Sequence, residues 1–210
     1  MKTLVEHIES QDSLNRFRLI PGRIFLDTNV LQYVQDFAEY IFEHYRESEE
    51  RFQSVKRTIH KGERLFSEIE ALHDFFVNVN RARFEFALSE AVYREVVDKG
   101  DSSFLQWFSD VWNHWSSVVS DYEADEAVSL RAENDYQKAL ADKSLSDSIS
   151  KKDLVIVLDA IRFDCDALLT TDRFARDQNK KLYIFQNYKL MILMPSELMK
   201  IIKPYQALWC

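Results

Sequence analysis

Two short apolar runs, RIFLD at 23–27 and ALLTTD at 167–172, each end in an aspartate, and most of the chain between them carries apolar residues at helical spacing. Short apolar runs bounded by turn signals read as buried strands. Strands separated by helices pair in parallel, since a parallel neighbour is reached only through a long crossover. The expected fold is therefore α/β, three layers with a central, mainly parallel sheet. Pro21-Gly22 supplies the turn before the first run. Only 3 Gly and 3 Pro in 210 residues argue against an all-β sandwich or barrel, whose tight turns favour glycine.

Along the chain, Leu31, Val34, Phe37, Ala38, Ile41, Phe42 and Tyr45 recur at three and four residues, which predicts one helix from Val30 to Tyr45. Phe52, Val55, Ile59, Phe66, Ile69 and Leu72 predict a second, and the two form a helix pair. FEFAL (84–88) reads as a strand, with Ser89 as the N-cap of a helix to about Val97 that Lys99-Gly100-Asp101 closes. A further helix is expected over 104–122, a Ser-rich loop over 142–152, and a helix from Lys152 to Phe163. ALLTT (167–171), LYIF (182–185) and KLMILM (189–194) complete the expected strands, and a last helix starts at Ser196. The domain is assigned to 23–203, with a helical insertion at about 45–80, an extension at 1–22 and a tail at 204–210.

The 15 Phe, 9 Tyr and 4 Trp supply a sizeable core, so disorder is excluded as the main state. A net charge of −8 opposes non-specific association with nucleic acid or anionic membrane, so a polyanion needs a local basic patch or a bridging cation. Cys165 and Cys210 do not make a disulfide framework, and a reducing cytoplasm is the expected location. Glu6, Glu9 and Asp12 stand where a signal peptide would be apolar, and no run of 18 apolar residues suggests a membrane span.

Open parallel sheets hold ligands just beyond the C-terminal ends of their strands. Asp27 and Asp172 stand at two such ends, and a helix-borne acid such as Glu95 or Asp153 can point into the same cleft. Carboxylates a few ångströms apart repel, which raises their pKa values unless a cation lies between them. Hard divalent ions with oxygen shells, Mg²⁺ or Mn²⁺, suit such a site, and the chemistry they support includes phosphodiester hydrolysis. With 35 acidic residues, accidental pairs are common, and spacing alone leaves Asp27 and Asp172 open to a reading as turn or cap residues. Asp153 is equally open to a helix-dipole role.

IFLDTNVL (24–31) resembles the opening motif of PIN-domain ribonucleases, an apolar strand running into Asp-Thr-Asn and an amphipathic helix. SEAVYRE (89–95), KDLVIVLDAIRFDCDALLTTD (152–172) and ILMPSELM (192–199) are similar to further segments of that family in the same order. The resemblance spans 23–203. It implies a PIN-like fold and a Mg²⁺- or Mn²⁺-dependent endoribonuclease that prefers single strands and leaves a 5′-phosphate and a 3′-hydroxyl. Asp27, Glu95, Asp153 and Asp172 match the family's metal-binding acids, and Asn29 and Thr170 match its supporting polar positions. Many relatives are toxins held by an antitoxin, so an antitoxin protein is a further expected partner. Two departures stand out. Glu95 follows Asp27 by 68 residues, which suggests an extended helical arm, and Asp164 occupies a position where relatives often carry glycine.

Other groups have weaker readings. Glu90 rivals Glu95 but suits the helix dipole. Asp159 lies about 240° around the helix from Asp153, and it is read with Asp164 and Asp166 as a solvated acid, one of the three being a reserve ligand. Arg46, Arg57, Lys61 and Arg64 fall on one helix side, a candidate stripe for RNA phosphates that otherwise reads as a solvated face. Trp107, Trp112 and Trp115 read as core, with base stacking or a homodimer interface as the other uses. The five histidines lack metal-ligand spacing, and no Gly-rich phosphate loop occurs. A non-catalytic PIN-like module binding RNA or protein is the alternative function. A phosphatase with Asp27 as nucleophile is a third, although Asn29 stands where that chemistry usually has a second acid.

Overall fold

The computed structural model describes residues 3–42, 63–79, 84–110 and 126–208. Helices α1 (Leu4–Glu9) and α2 (Ser13–Arg18) precede β1 (Arg23–Leu26), which runs into α3 (Thr28–Asp36) and α4 (Ala38–Phe42). Next come α5 (Glu63–Val79), β2 (Glu85–Ala87), α6 (Glu90–Lys99) and a helix α7 over 102–110. After α8 (Glu126–Ala141), α9 (Lys143–Ser148) and α10 (Lys151–Arg162) the chain forms β3 (Ala167–Leu169), α11 (Gln178–Tyr188), β4 (Met191–Leu193) and α12 (Pro195–Ile202). A 3-10 turn, Lys203–Leu208, packs on α12.

The sheet has four strands in the order β2-β1-β3-β4, all parallel. Every residue of β3 and β4 is buried. Successive side chains point to opposite faces, so both faces are covered, as parallel sheets require. One helix group joins α10 to α6, α8 and α9; another joins α12 to α1 and α5, with α4 on α5. This arrangement is compatible with three α/β/α layers. Leu4 and Ile8 of α1 lie in the core, so residues 1–22 contribute packing as well as length.

Several local expectations need correction. LYIF is not a strand: it lies within α11, where Asp177 caps the first turn by accepting from the Asn179 and Lys180 amides. Lys181, Ile184 and Tyr188 are the buried residues there, a three-then-four spacing that turns one helix face inward. The Ser-rich stretch is partly helical, because Asp142 accepts from the Ser144 and Leu145 amides and starts α9. The helix expected over 30–45 breaks at Phe37, whose φ of −118° and ψ of 23° are not helical. Ser89 holds the N-cap position of α6 without a side-chain cap, and Gly100 closes α6 with a left-handed φ of 68°. Asp164 also adopts the left-handed region, at φ 49°, a backbone conformation that favours glycine.

Candidate acidic site at the strand ends

The chain leaves β1 towards β2 on one side, while β3 pairs on the other, which makes the space beyond β1 and β3 a topological switch point. Leu26 is in register with Leu169, and the Asp27 amide donates to the Leu169 carbonyl at 3.1 Å. Asp27 and Thr170 therefore leave the sheet side by side. Thr170 Oγ1 donates to Asp27 Oδ2 at 2.5 Å and accepts from the Asp172 amide at 3.1 Å. Asp27 and Asp172 occupy the N-cap positions of α3 and of a short 3-10 turn, Arg173–Arg176, yet neither side chain makes a capping bond. The cap reading thus fails for both.

The neighbouring residues orient the remaining acids. Asn29 Nδ2 donates to Asp172 Oδ1 at 2.5 Å, and Thr28 Oγ1 donates to Glu95 Oε2 at 2.6 Å across the α3–α6 contact. Glu90 instead lies on the surface in an ion pair with Arg94 at 2.7 Å, which separates it from its rival. Asp153 sits in the first turn of α10, its amide donating to Ser150 Oγ at 3.3 Å.

Burial sets the electrostatics. Asp27 is 4% exposed, and desolvation pushes its carboxyl up to about 7; the Thr170 hydroxyl opposes this, while the charges of Asp172 and Glu95 add to it. Asp172 is half-buried and also raised, first by desolvation and then by Asp153 and Glu95, with Lys99 and Asn29 pulling it down. The four sequence-predicted acids thus share one electrostatic neighbourhood. Among the described residues, no three acid, His or Cys side chains are already gathered closely enough to hold a metal ion.

Thr28 and Lys99 were missed in the sequence reading. Thr28 lies inside the Asp-Thr-Asn motif, and Lys99 falls four residues after Glu95, one helical turn on; both signals were available. Asp166 is exposed, as expected of a solvated acid, and also accepts from the Gly22 and Arg23 amides at 2.8 and 3.0 Å, while the half-buried Asp164 pairs with Arg131. Asp159, in contrast to Asp166, is half-buried with its pKa raised by desolvation, so the solvated reading does not hold for it. Of the proposed RNA stripe, Arg46, Arg57 and Lys61 lie outside the described residues, and Arg64 stands on the first turn of α5. Trp112 and Trp115 also lie outside; Trp107 packs on the core and stacks on Phe104.

No family model, curated protein or solved structure matches the chain. Among the described residues no helix is long and apolar enough to cross a membrane.

Proposed function

We propose that this chain is a Mg²⁺- or Mn²⁺-dependent endoribonuclease with a PIN-like fold. One observation carries the reading: Asp27 is buried with Asp172 and Glu95 acting on it as like charges at the junction of β1 and β3. A stability-driven core gains nothing from such a group, because an unpaired buried charge is costly. A divalent cation fits the donor set, since carboxylate oxygens are hard ligands and would be relieved of mutual repulsion. Asp27 and Asp172 would hold it, with Glu95 and Asp153 completing the shell directly or through water.

When bound, such an ion lowers the pKa of water and stabilises charge developing on a phosphate. The chain's own residues orient the acids. Thr170 fixes one oxygen of Asp27, Asn29 one of Asp172 and Thr28 one of Glu95, leaving the remaining oxygens for cation or water. Hydrogen bonds of this kind set ligand direction and commonly matter tenfold or more for affinity or activity.

The test is cleavage of single-stranded RNA by wild type and Asp27→Asn with Mn²⁺, Mg²⁺ or chelator. Metal-dependent cleavage by wild type and a loss of at least about a hundredfold in the variant are expected, roughly 2.7 kcal/mol in the barrier. Wild-type cleavage by a correctly folded Asp27→Asn variant sinks the assignment. A non-catalytic PIN-like module binding RNA or protein is the second reading. It draws on the lack of three pre-gathered ligands among the described residues. It predicts no calorimetric Mn²⁺ site that disappears in Asp172→Asn.

A further inference from the structure

A groove of about 560 Å³ runs between α6 and α10, and Glu95 of the acidic site forms part of its wall. Val155, Ile156 and Phe163 give it apolar sides, while Arg94, Lys152 and Arg162 stand along it. Its polar lining includes Ser89 and Asp159. Ser89 is 4% exposed, and its hydroxyl makes no hydrogen bond of ordinary geometry, although it lies near enough to Asp159 to pull that carboxyl's pKa down. The Ser89 hydroxyl is the donor that faces Asp159, short of ordinary hydrogen-bond geometry. Arg162 eases its charge, but its Nε is 3.8 Å from Glu133 and its guanidinium lies 5.5 Å from the Tyr136 ring centroid. Buried polar groups nearly always have partners. Here the Ser89 hydroxyl lacks a well-formed bond, and Asp159 beside it has acceptor capacity to spare, in a groove large enough for a ligand.

The ligand's chemistry follows from the acceptors. An ionised carboxylate presents two acceptor oxygens and no donor, so it selects a flat edge carrying two adjacent N–H groups. Among nucleobases only guanine offers that edge, through N1–H and the exocyclic N2–H. Apolar walls suit a base, and an arginine plane such as Arg94 or Arg162 can stack on one. Asp159 lies on another side of α10 from Asp153, about 240° around the helix, and the groove reaches the acidic site through Glu95.

We propose that the α6–α10 groove is a guanine subsite, in which Asp159 accepts from N1–H and N2–H and the Ser89 hydroxyl supplies a further contact. The subsite rests on the nuclease reading for its purpose, which is to choose the base beside the cut, but its binding can be measured without any cleavage. A bidentate base contact discriminates by about tenfold or more.

Full-length protein is titrated with GMP and with AMP in the absence of divalent metal, following the Ser89 and Asp159 amides by NMR. GMP is expected to bind at least about tenfold more tightly than AMP, Asp159→Asn to bring that ratio close to one, and Ser89→Ala to narrow it. Equal binding of the two nucleotides, or a preference that survives both substitutions, overturns the subsite. Cleavage of four oligoribonucleotides differing in one base separates this from the parent reading. If all four are cut equally with no GMP preference, the groove assignment falls and the nuclease stands; if GMP is preferred but none is cut, the reverse holds.

Discussion

Asp27 and Glu68 are buried to the same extent, each 4% exposed, yet the protein treats them in opposite ways. Glu68 receives the Ser196 amide and hydroxyl, both at 2.8 Å, and acts on the fully buried Lys181, whose Nζ donates to Glu197 Oε2 at 2.5 Å. Glu197 in turn accepts the Met194 amide at 2.9 Å and so starts α12. Desolvation lowers the Lys181 pKa, but Glu197 and Glu68 oppose that shift. Charge is compensated throughout this knot, which ties α5, α11 and α12 together. At Asp27 the compensation is one hydroxyl and one amide against two like charges. The knot holds the fold, whereas the strand-end site stores unfavourable charge, which the cation of the proposed function would relieve.

The largest expected effect breaks that symmetry at Asp27. Its carboxyl stands at about 7 in the folded chain against 3.8 for an ordinary aspartate, so the folded state binds the extra proton between those values. The stability this group allows is present below about pH 4 and is lost as pH rises through 7. Asp27→Asn should therefore raise the stability of metal-free protein at pH 8, by up to about 4 kcal/mol, and flatten its pH dependence. Urea unfolding at pH 5 and pH 8 measures this, and a variant less stable than wild type at pH 8 contradicts it.

Breaking the knot should act in the other direction. Lys181→Met leaves Glu197 facing a buried methionine and should destabilise the fold by about 3 kcal/mol, with part of the loss recovered when Glu197→Gln is added. A simple additive double variant would mean that the pair carries no coupling. The smallest effect sharpens the strand-end side: Thr170→Val removes the donor to Asp27 Oδ2 and should cost about 1 kcal/mol. The same change should lift the Asp27 pKa further, read by carboxyl NMR titration. An unmoved midpoint would deny Thr170 its orienting part.

The two regions also differ in how much of them the sequence discloses. At the strand ends the signals are local: apolar runs ending in aspartate, a Thr-Asn pair after Asp27, and a Thr two residues before Asp172. Pattern alone places Asp27 and Asp172 at strand ends, the pairing of β1 with β3 makes those ends neighbours, and Asn29 and Thr170 stand out only through the resemblance. The knot had no comparable signal. Lys181 precedes an apolar run of four that fits either period, so that run was read as a strand; the Asp177 cap and the burial of Lys181, Ile184 and Tyr188 make it helical. The environment of Asp159 was equally hidden. Helical spacing sets its angle on α10 apart from that of Asp153, but what lies opposite depends on how α6 packs, a tertiary matter.

β1 is paired on both edges, with β2 on one side and β3 on the other. Its amides can exchange with deuterium only when the sheet's middle opens, whereas fraying at an edge frees β2 or β4 first. Asp27, whose charge is disfavoured by burial and by two like charges, thus directly follows the strand that is paired on both edges. Relief by local loosening is closed off at Asp27, and the burden persists until the carboxyl takes up a proton or, on the proposed function, a cation binds beside it.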